Sequence, residues 1–135
     1  MPVVPVPVTC HSEKMEVQHV ARNTDLHLRN QMIYSVFVRN YSSEGTFDKV
    51  REDLPRIRSL GADIIWLMPI YPIGKSNRKG SMGSPYAIRD YRAINPEYGT
   101  LEDFQALVDS IHALGMKVII DVVYNHTSPD SWLRE

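Results

Sequence analysis

Three side chains of different chemistry fall close together near the end of the sequence: Asp121, Asn125 and His126. Asp121 is embedded in Val118-Ile119-Ile120-Asp121-Val122-Val123. A carboxylate in such a β-branched run is costly to bury unless it is paired or hydrogen-bonded, so a partner must face it. Asn125 and His126 follow where the strand runs into its loop. In β/α barrels the carboxyl ends of the strands form the active-site face, so a carboxylate, an amide and an imidazole would converge there. Taken singly, each has a plainer explanation: Asp121 as a core carboxylate held by backbone donors, Asn125 as a turn residue, His126 as a loop histidine.

Other groupings carry less. Gly74-Lys75-Ser76 follows a strand as a phosphate-binding loop would, but Pro69 stands where that motif needs its first glycine and Arg78-Lys79-Gly80 does not open a helix, which argues against nucleotide binding. Lys75, Arg78 and Lys79 lack the further basic and aromatic residues of a nucleic-acid surface and read as a solvated loop. His126, Asp130 and Ser131 are the residue types of a hydrolase triad, without a nucleophile elbow around the serine.

The elements that must position these groups follow from periodicity. Residues 1–30 have no sustained period; the proline-rich start reads as extended and 16–28 as a weak helix. A buried strand is expected over 32–38 with a loop after it, then a helix over 46–60 with Thr46 as N-cap and Phe47, Val50, Leu54 and Ile57 on one face. Pro55 should kink or restart that helix, and Gly61 should end it. A second strand is expected over 63–68, stopped by Pro69, with Trp66 in the barrel core. Residues 69–99 form a connection far longer than usual, which marks a functional loop or disorder. Thr100-Leu101-Glu102-Asp103 resembles a capping box and opens a helix ending at Gly115; 117–124 then reads as a third strand, apolar on both faces as in a parallel sheet covered by helices.

The helix-to-strand junctions around Leu60 and Leu114 repeat each other 54 positions apart, one β/α unit used twice. The order predicts an α/β fold with parallel strands. A (β/α)8 barrel needs eight such units, so the chain is expected to be the first three β/α units of a larger barrel, with residues 1–30 as a weakly structured extension and 31–135 as the barrel part.

Composition agrees with a globular protein. The 135 residues are 43% hydrophobic and 23% charged, with Lys+Arg 15 against Asp+Glu 16 and a net charge of -1, so no overall attraction to nucleic acid or anionic lipid is expected. No apolar run is long enough to span a membrane. Cys10 is the single cysteine and can form no internal disulfide. The apolar start carries Pro2, Pro5 and Pro7 and no basic residue ahead of them, so no signal peptide is recognised and a cytoplasmic protein is expected.

Asp121-Val122-Val123-Tyr124-Asn125-His126 resembles the first signature region of the alpha-amylase family, glycoside hydrolase family 13. The resemblance extends through Gly61-Ala62-Asp63-Ile64-Ile65-Trp66-Leu67-Met68-Pro69-Ile70, Tyr86-Ala87-Ile88-Arg89-Asp90-Tyr91, Tyr98-Gly99-Thr100 and Gly115-Met116-Lys117, covering residues 31–132. It implies a retaining hydrolase of α-glucosidic bonds in starch-like substrates or maltooligosaccharides. Asp121 would organise the first sugar subsite, His126 would hydrogen-bond a glucosyl hydroxyl there, and Tyr86 would be the aromatic platform beneath the ring. A sugar's apolar C–H face suits an aromatic face while its hydroxyls need polar partners. Asn125 would hold the adjoining loop, in many relatives as a calcium ligand, and Arg89 with Asp90 would brace the loop that carries Tyr86.

The family's nucleophile and general acid follow the fourth and fifth strands, and no residue here matches either, so the 135 residues alone are expected to be inactive. The alternatives are a non-catalytic barrel used for binding or protein interaction, and an α-glucan transglycosylase or isomerase of the same superfamily.

Overall fold

The structure is a computed structural model and describes residues 25–134. The extended start and most of the expected 16–28 helix lie outside these residues. Leu26–Asn30 is a 3-10 turn, capped by the Asp25 carboxylate accepting the His27 N–H at 2.9 Å. Strands Met32–Val36 (β1), Ala62–Leu67 (β2) and Lys117–Ile120 (β3) form one parallel sheet in that order. Helices Val38–Tyr41 (α1), Phe47–Ser59 (α2) and Leu101–Ala113 (α3) alternate with them. No helix among the described residues is long and apolar enough to cross a membrane.

Helix α2 presents Phe47, Val50, Leu54 and Ile57 to the sheet, and α3 presents Leu107 and Ile111. They close over Val36, Ile65 and Leu67, all buried. Each such side chain stabilises the fold by roughly 1.5–3 kcal/mol relative to exposure. Phe47 also meets the Tyr98 ring edge-on, with centroids 5.9 Å apart, and the Tyr98 carbonyl accepts its N–H at 2.9 Å. That backbone bond serves the start of α2, since the Thr46 side chain makes no cap bond. Gly61 follows the helix at φ 91°, a conformation that costs glycine little and other residues much. At α3 the capping box is complete: the Asp103 N–H donates to Thr100 Oγ1 at 3.2 Å and the Thr100 N–H to Asp103 Oδ2 at 2.8 Å.

Several expectations are corrected. The first strand stops at Val36, and the expected loop after it holds α1, because Val38 turns into the core instead of extending the ladder. Pro55 does not restart α2, which runs unbroken from Phe47 to Ser59. Pro55 and Arg51 are both on the exposed side, where water can satisfy the Arg51 carbonyl that loses its N–H partner, and buried Leu54 and Ile57 hold the helix across the gap. The third strand ends at Ile120 rather than residue 124: the Asp121 N–H still donates to Leu67 O at 2.9 Å, but β2 ends there and offers no further ladder. Nor do the described residues cover the sheet on both faces. Ile33, Trp66 and Ile119 lie on the face away from the helices, and Trp66, expected in the barrel core, is 38% exposed there. This is the side that a closed barrel turns inward, and three strands do not enclose it.

The register carries one irregularity. Met32 pairs with Ala62 and Ile33 with Ile64, so Asp63 is passed over. Its carboxylate accepts the Met32 N–H at 3.0 Å and pairs with Arg58 at 3.0 Å.

The contrast between the two helix starts is measurable. Thr100→Ala should lower stability by about 1 kcal/mol in urea unfolding of the protein at its full natural length, the usual cost of a lost N-cap. Thr46→Ala should change it by a few tenths at most; equal losses would contradict the cap assignment.

Candidate functional site

The long connection is ordered as a hairpin-like fold rather than an open loop. Ile73 bridges Ile88 antiparallel, the Gly74 N–H donates to Ala87 O and the Arg89 N–H to Pro72 O, both at 2.9 Å. The segment after β3 is fastened onto the same hairpin. Ser128 N–H and Thr127 Oγ1 donate to Ile88 O at 3.0 and 2.6 Å, and Ser131 Oγ and Trp132 N–H donate to Arg89 O at 2.9 and 3.2 Å. At the other end, the Arg39 guanidinium from α1 donates to the carbonyls of Gly83 and Met82 at 3.0 and 3.1 Å. Gly74 permits the closure: a Cβ there would stand 1.7 Å from Ser128 Oγ.

This frame sets two tyrosines against the end of β3. The Tyr86 hydroxyl donates to Asp121 Oδ2 at 3.0 Å. Asp121 is half-buried at the strand's end, so the deeply buried carboxylate expected from its sequence neighbours is corrected: its partner is a phenol from the hairpin, and solvent reaches it. Burial first, and the Asp121 carboxylate second, push the Tyr86 phenol above its ordinary value and keep it a proton donor. The Tyr91 hydroxyl bonds the carbonyls of Val123 at 2.7 Å and His126 at 3.1 Å, which holds the backbone that carries the histidine.

Beside these contacts lies a cleft of about 600 Å³, bounded by Tyr71, Tyr91, Val123, Tyr124, His126 and Leu133, with Asn125 on its wall. The Tyr71 and Tyr91 rings lie 5.6 Å apart at 45°. Tyr124 is 91% exposed. Aromatic faces with an imidazole and an amide among them match the chemistry of a sugar, apolar on its C–H face and polar around its rim.

The structure therefore brings Tyr86 to Asp121, and Asn125 to His126, as two adjoining pairs. Tyr86 and Asp121 do not line the cleft, and the His126 ring makes no hydrogen bond among the described residues. Tyr71 and Tyr91 were not singled out from the sequence. Tyr91 closes the Tyr86–Tyr91 stretch, whereas only its place after Pro69 pointed to Tyr71.

Three further expectations resolve here. Arg89 and Asp90 do not pair; Asp90 lies 3.8 Å from Arg92, whose guanidinium sits over the Trp132 ring at 3.8 Å. No triad forms, since Ser131 is bonded to Arg89 O while Asp130 accepts from Ser128 and from the Lys75 N–H. The amides of Gly74 and Lys75 are thereby taken, and no phosphate-loop cradle exists. For calcium, which takes about six to eight oxygen ligands, Asn125 offers one amide oxygen. Among the described residues no carboxylate lines the cleft, and no group of three or more His, Cys, Asp or Glu side chains is placed for a metal. The residues present do not by themselves fit that ion.

A family profile described as alpha amylase, catalytic domain, matches residues 18–135, beginning ahead of the motifs that start at 31. The chain is 38% identical over 120 residues to an alpha-1,4-glucan:maltose-1-phosphate maltosyltransferase of Cereibacter sphaeroides, covering 76% of this chain and 20% of that protein. It is 34% identical over 113 residues to a trehalose-6-phosphate hydrolase of Bacillus subtilis, covering 79% and 19%. Among solved structures, an alpha-amylase from Lactobacillus plantarum is 70% identical with a TM-score of 0.78, covering 79% of this chain and 26% of that one. The chain thus spans about a fifth of the length of these curated relatives.

The Asp130 link between the loops has a defined pH range. Its hydrogen bonds, Ser128 first and the Lys75 amide second, hold its carboxyl down at about 2, against an ordinary 3.8. A depressed carboxylate stabilises the fold above its unfolded value and loses that contribution as pH falls through the folded one. Protection of the Lys75 amide from hydrogen exchange, relative to the Ile88-bonded Ser128 amide, should be full above about pH 4 and decline toward about pH 2. A decline centred above pH 5 would contradict the assignment.

Proposed function

Because the chain belongs to the alpha-amylase family, we propose that the protein breaks or transfers α-glucosidic bonds in starch-like substrates or maltooligosaccharides, with these residues forming part of the first sugar subsite. The observation that carries the proposal is the Tyr86–Asp121 bond at the carboxyl end of β3, beside a tyrosine-walled cleft that holds His126. The relatives named above act, by their names, on a glucan with maltose 1-phosphate and on trehalose 6-phosphate.

In this reading Tyr86 supplies the platform, and Asp121 fixes its hydroxyl and accepts from a sugar hydroxyl with its remaining lone pairs. His126 donates to a neighbouring hydroxyl, its position set through the Tyr91 contact with its carbonyl. Retaining cleavage needs a carboxylate nucleophile and a carboxylic acid about 5–5.5 Å apart across the bond. No carboxylate of this chain is assigned to either role, and Asp121 acts by positioning.

In the protein at its full natural length, His126→Ala should reduce turnover of maltooligosaccharides, the lost hydrogen bond being worth about 0.5–1.5 kcal/mol and more if it tightens in the transition state. The urea midpoint should not move; unchanged kcat/KM would remove His126 from the subsite. Residues 1–135 expressed alone should show no release of sugar above a vector control, since positioning groups cannot replace a nucleophile. Turnover by that polypeptide would show that a carboxylate within it is catalytic.

A further inference from the structure

A single side chain grips the tip of the hairpin from outside. Arg39 in α1 donates to the carbonyls of Gly83 at 3.0 Å and Met82 at 3.1 Å. Among the described residues, no other hydrogen bond reaches residues 78–85 from outside the 69–99 connection. The guanidinium is seated from behind as well. Its Cζ lies 5.5 Å from the centre of the Phe37 ring. Burial pushes the Tyr98 phenol above its ordinary value, and the nearby Arg39 charge works against that push. Glu44 and Glu97 line a small cavity together with Arg39, yet Arg39 forms no salt bridge among the described residues. Its charge is directed at main-chain oxygens.

Both ends of this grip are stiff. Val38, the neighbour of Arg39, is buried in the core. The turn after α1 closes on Arg39 through Gly45, whose φ of 64° suits glycine and where a Cβ would stand 2.7 Å from the Arg39 carbonyl oxygen. From Gly83 to Tyr86 the chain makes a tight turn: Ser84 Oγ accepts the Tyr86 N–H at 3.2 Å, Ser84 O accepts the Ala87 N–H at 3.0 Å, and Pro85 between them has a fixed φ. Beyond Tyr86 the bond from the Gly74 N–H to Ala87 O ties the chain into the hairpin. Tyr86 is therefore held by the hairpin on one side and by Arg39 on the other.

We propose that Arg39 is a positioning residue of the sugar subsite: by holding two successive carbonyls it sets where the Tyr86 ring stands and keeps the Tyr86 hydroxyl on Asp121. A guanidinium suits this task because its planar fork presents N–H donors to two acceptors at once, whereas a lysine ammonium is a point charge on a flexible stem. The placement of Tyr86 follows from the bonds themselves; the consequence for turnover rests on the sugar-subsite reading, with Tyr86 as the platform. Helix α1, which stands where a loop was expected, thereby acquires a role: it carries a cation from the end of β1 to the loop that faces the ligand.

The test uses the protein at its full natural length with 13C-labelled tyrosine, the Tyr86 signal being the one lost in Tyr86→Phe. In Arg39→Lys and Arg39→Gln the Tyr86 signal should shift, and its phenol, held up by burial and then by Asp121, should titrate closer to the ordinary 10.0. The Tyr91 signal should stay in place, because the bonds of its hydroxyl to Val123 and His126 do not pass through α1. On maltooligosaccharides Arg39→Gln should raise KM about three- to tenfold with a smaller change in kcat, since stacking on the platform is made before as well as during the reaction. The same substitution should add little in a Tyr86→Ala background. The proposal is overturned by a Tyr86 signal unmoved in both variants, by equal shifts of Tyr86 and Tyr91, or by an undiminished effect of Arg39→Gln once Tyr86 is gone. If the Tyr86 signal moves while Tyr86→Ala leaves kcat/KM unchanged, the positioning stands and the sugar-subsite reading falls.

Discussion

Two carbonyl oxygens, those of Ile88 and Arg89, fasten the loop after β2 to the segment after β3. Each accepts two hydrogen bonds, and Ile88 is fully buried, so leaving its carbonyl unpaired would be costly. Together with the bond from the Lys75 N–H to Asp130, these four bonds hold Tyr86 against Asp121 and Tyr91 against the backbone of His126. Net worth of about 0.5–1.5 kcal/mol each is modest, but together they replace the entropy of two wandering loops with one geometry.

The sheet beneath supplies the fixed base. Parallel pairing brings the ends of β2 and β3 to the same side, and the helices bury only the face that carries Val36, Ile65 and Leu67. Ile33, Trp66 and Ile119 remain open on the other face. Stability is thus concentrated on the helix side, while the groups that could touch a sugar lie at the strand ends, where the backbone leaves the ladder and side chains are free to face a ligand.

Much of this was legible in the residues. The apolar stripes of α2 and α3, the Thr100–Asp103 cap and the parallel strand order follow from local pattern, because each is set by neighbours within a few positions. The importance of Asp121 could also be read, since a carboxylate among Val and Ile demands a partner. That Tyr86 would share a subsite with Asp121 came only through resemblance, and its bond to the carboxylate was not foreseen, for the two are 35 positions apart. The frame itself left no trace in composition: most of its bonds run to main-chain carbonyls, which any residue provides. Pro55 misled for a related reason, as helix continuity on an exposed face is not encoded in the proline itself.

The passed-over Asp63 solves a counting problem. A strand that slips by one residue exchanges its two faces, yet here the odd residue is absorbed at the foot of the sheet, with a carboxylate standing in for the missing partner of the Met32 N–H. Above it, Ile33 through Val36 and Ile64 through Leu67 march in step, and the Val36 carbonyl meets the Met68 N–H at 3.0 Å as the Leu67 carbonyl meets that of Asp121. The splice at the bottom therefore sets the level of the rim at the top: the height at which every loop departs is decided some five residues below the place where chemistry would occur.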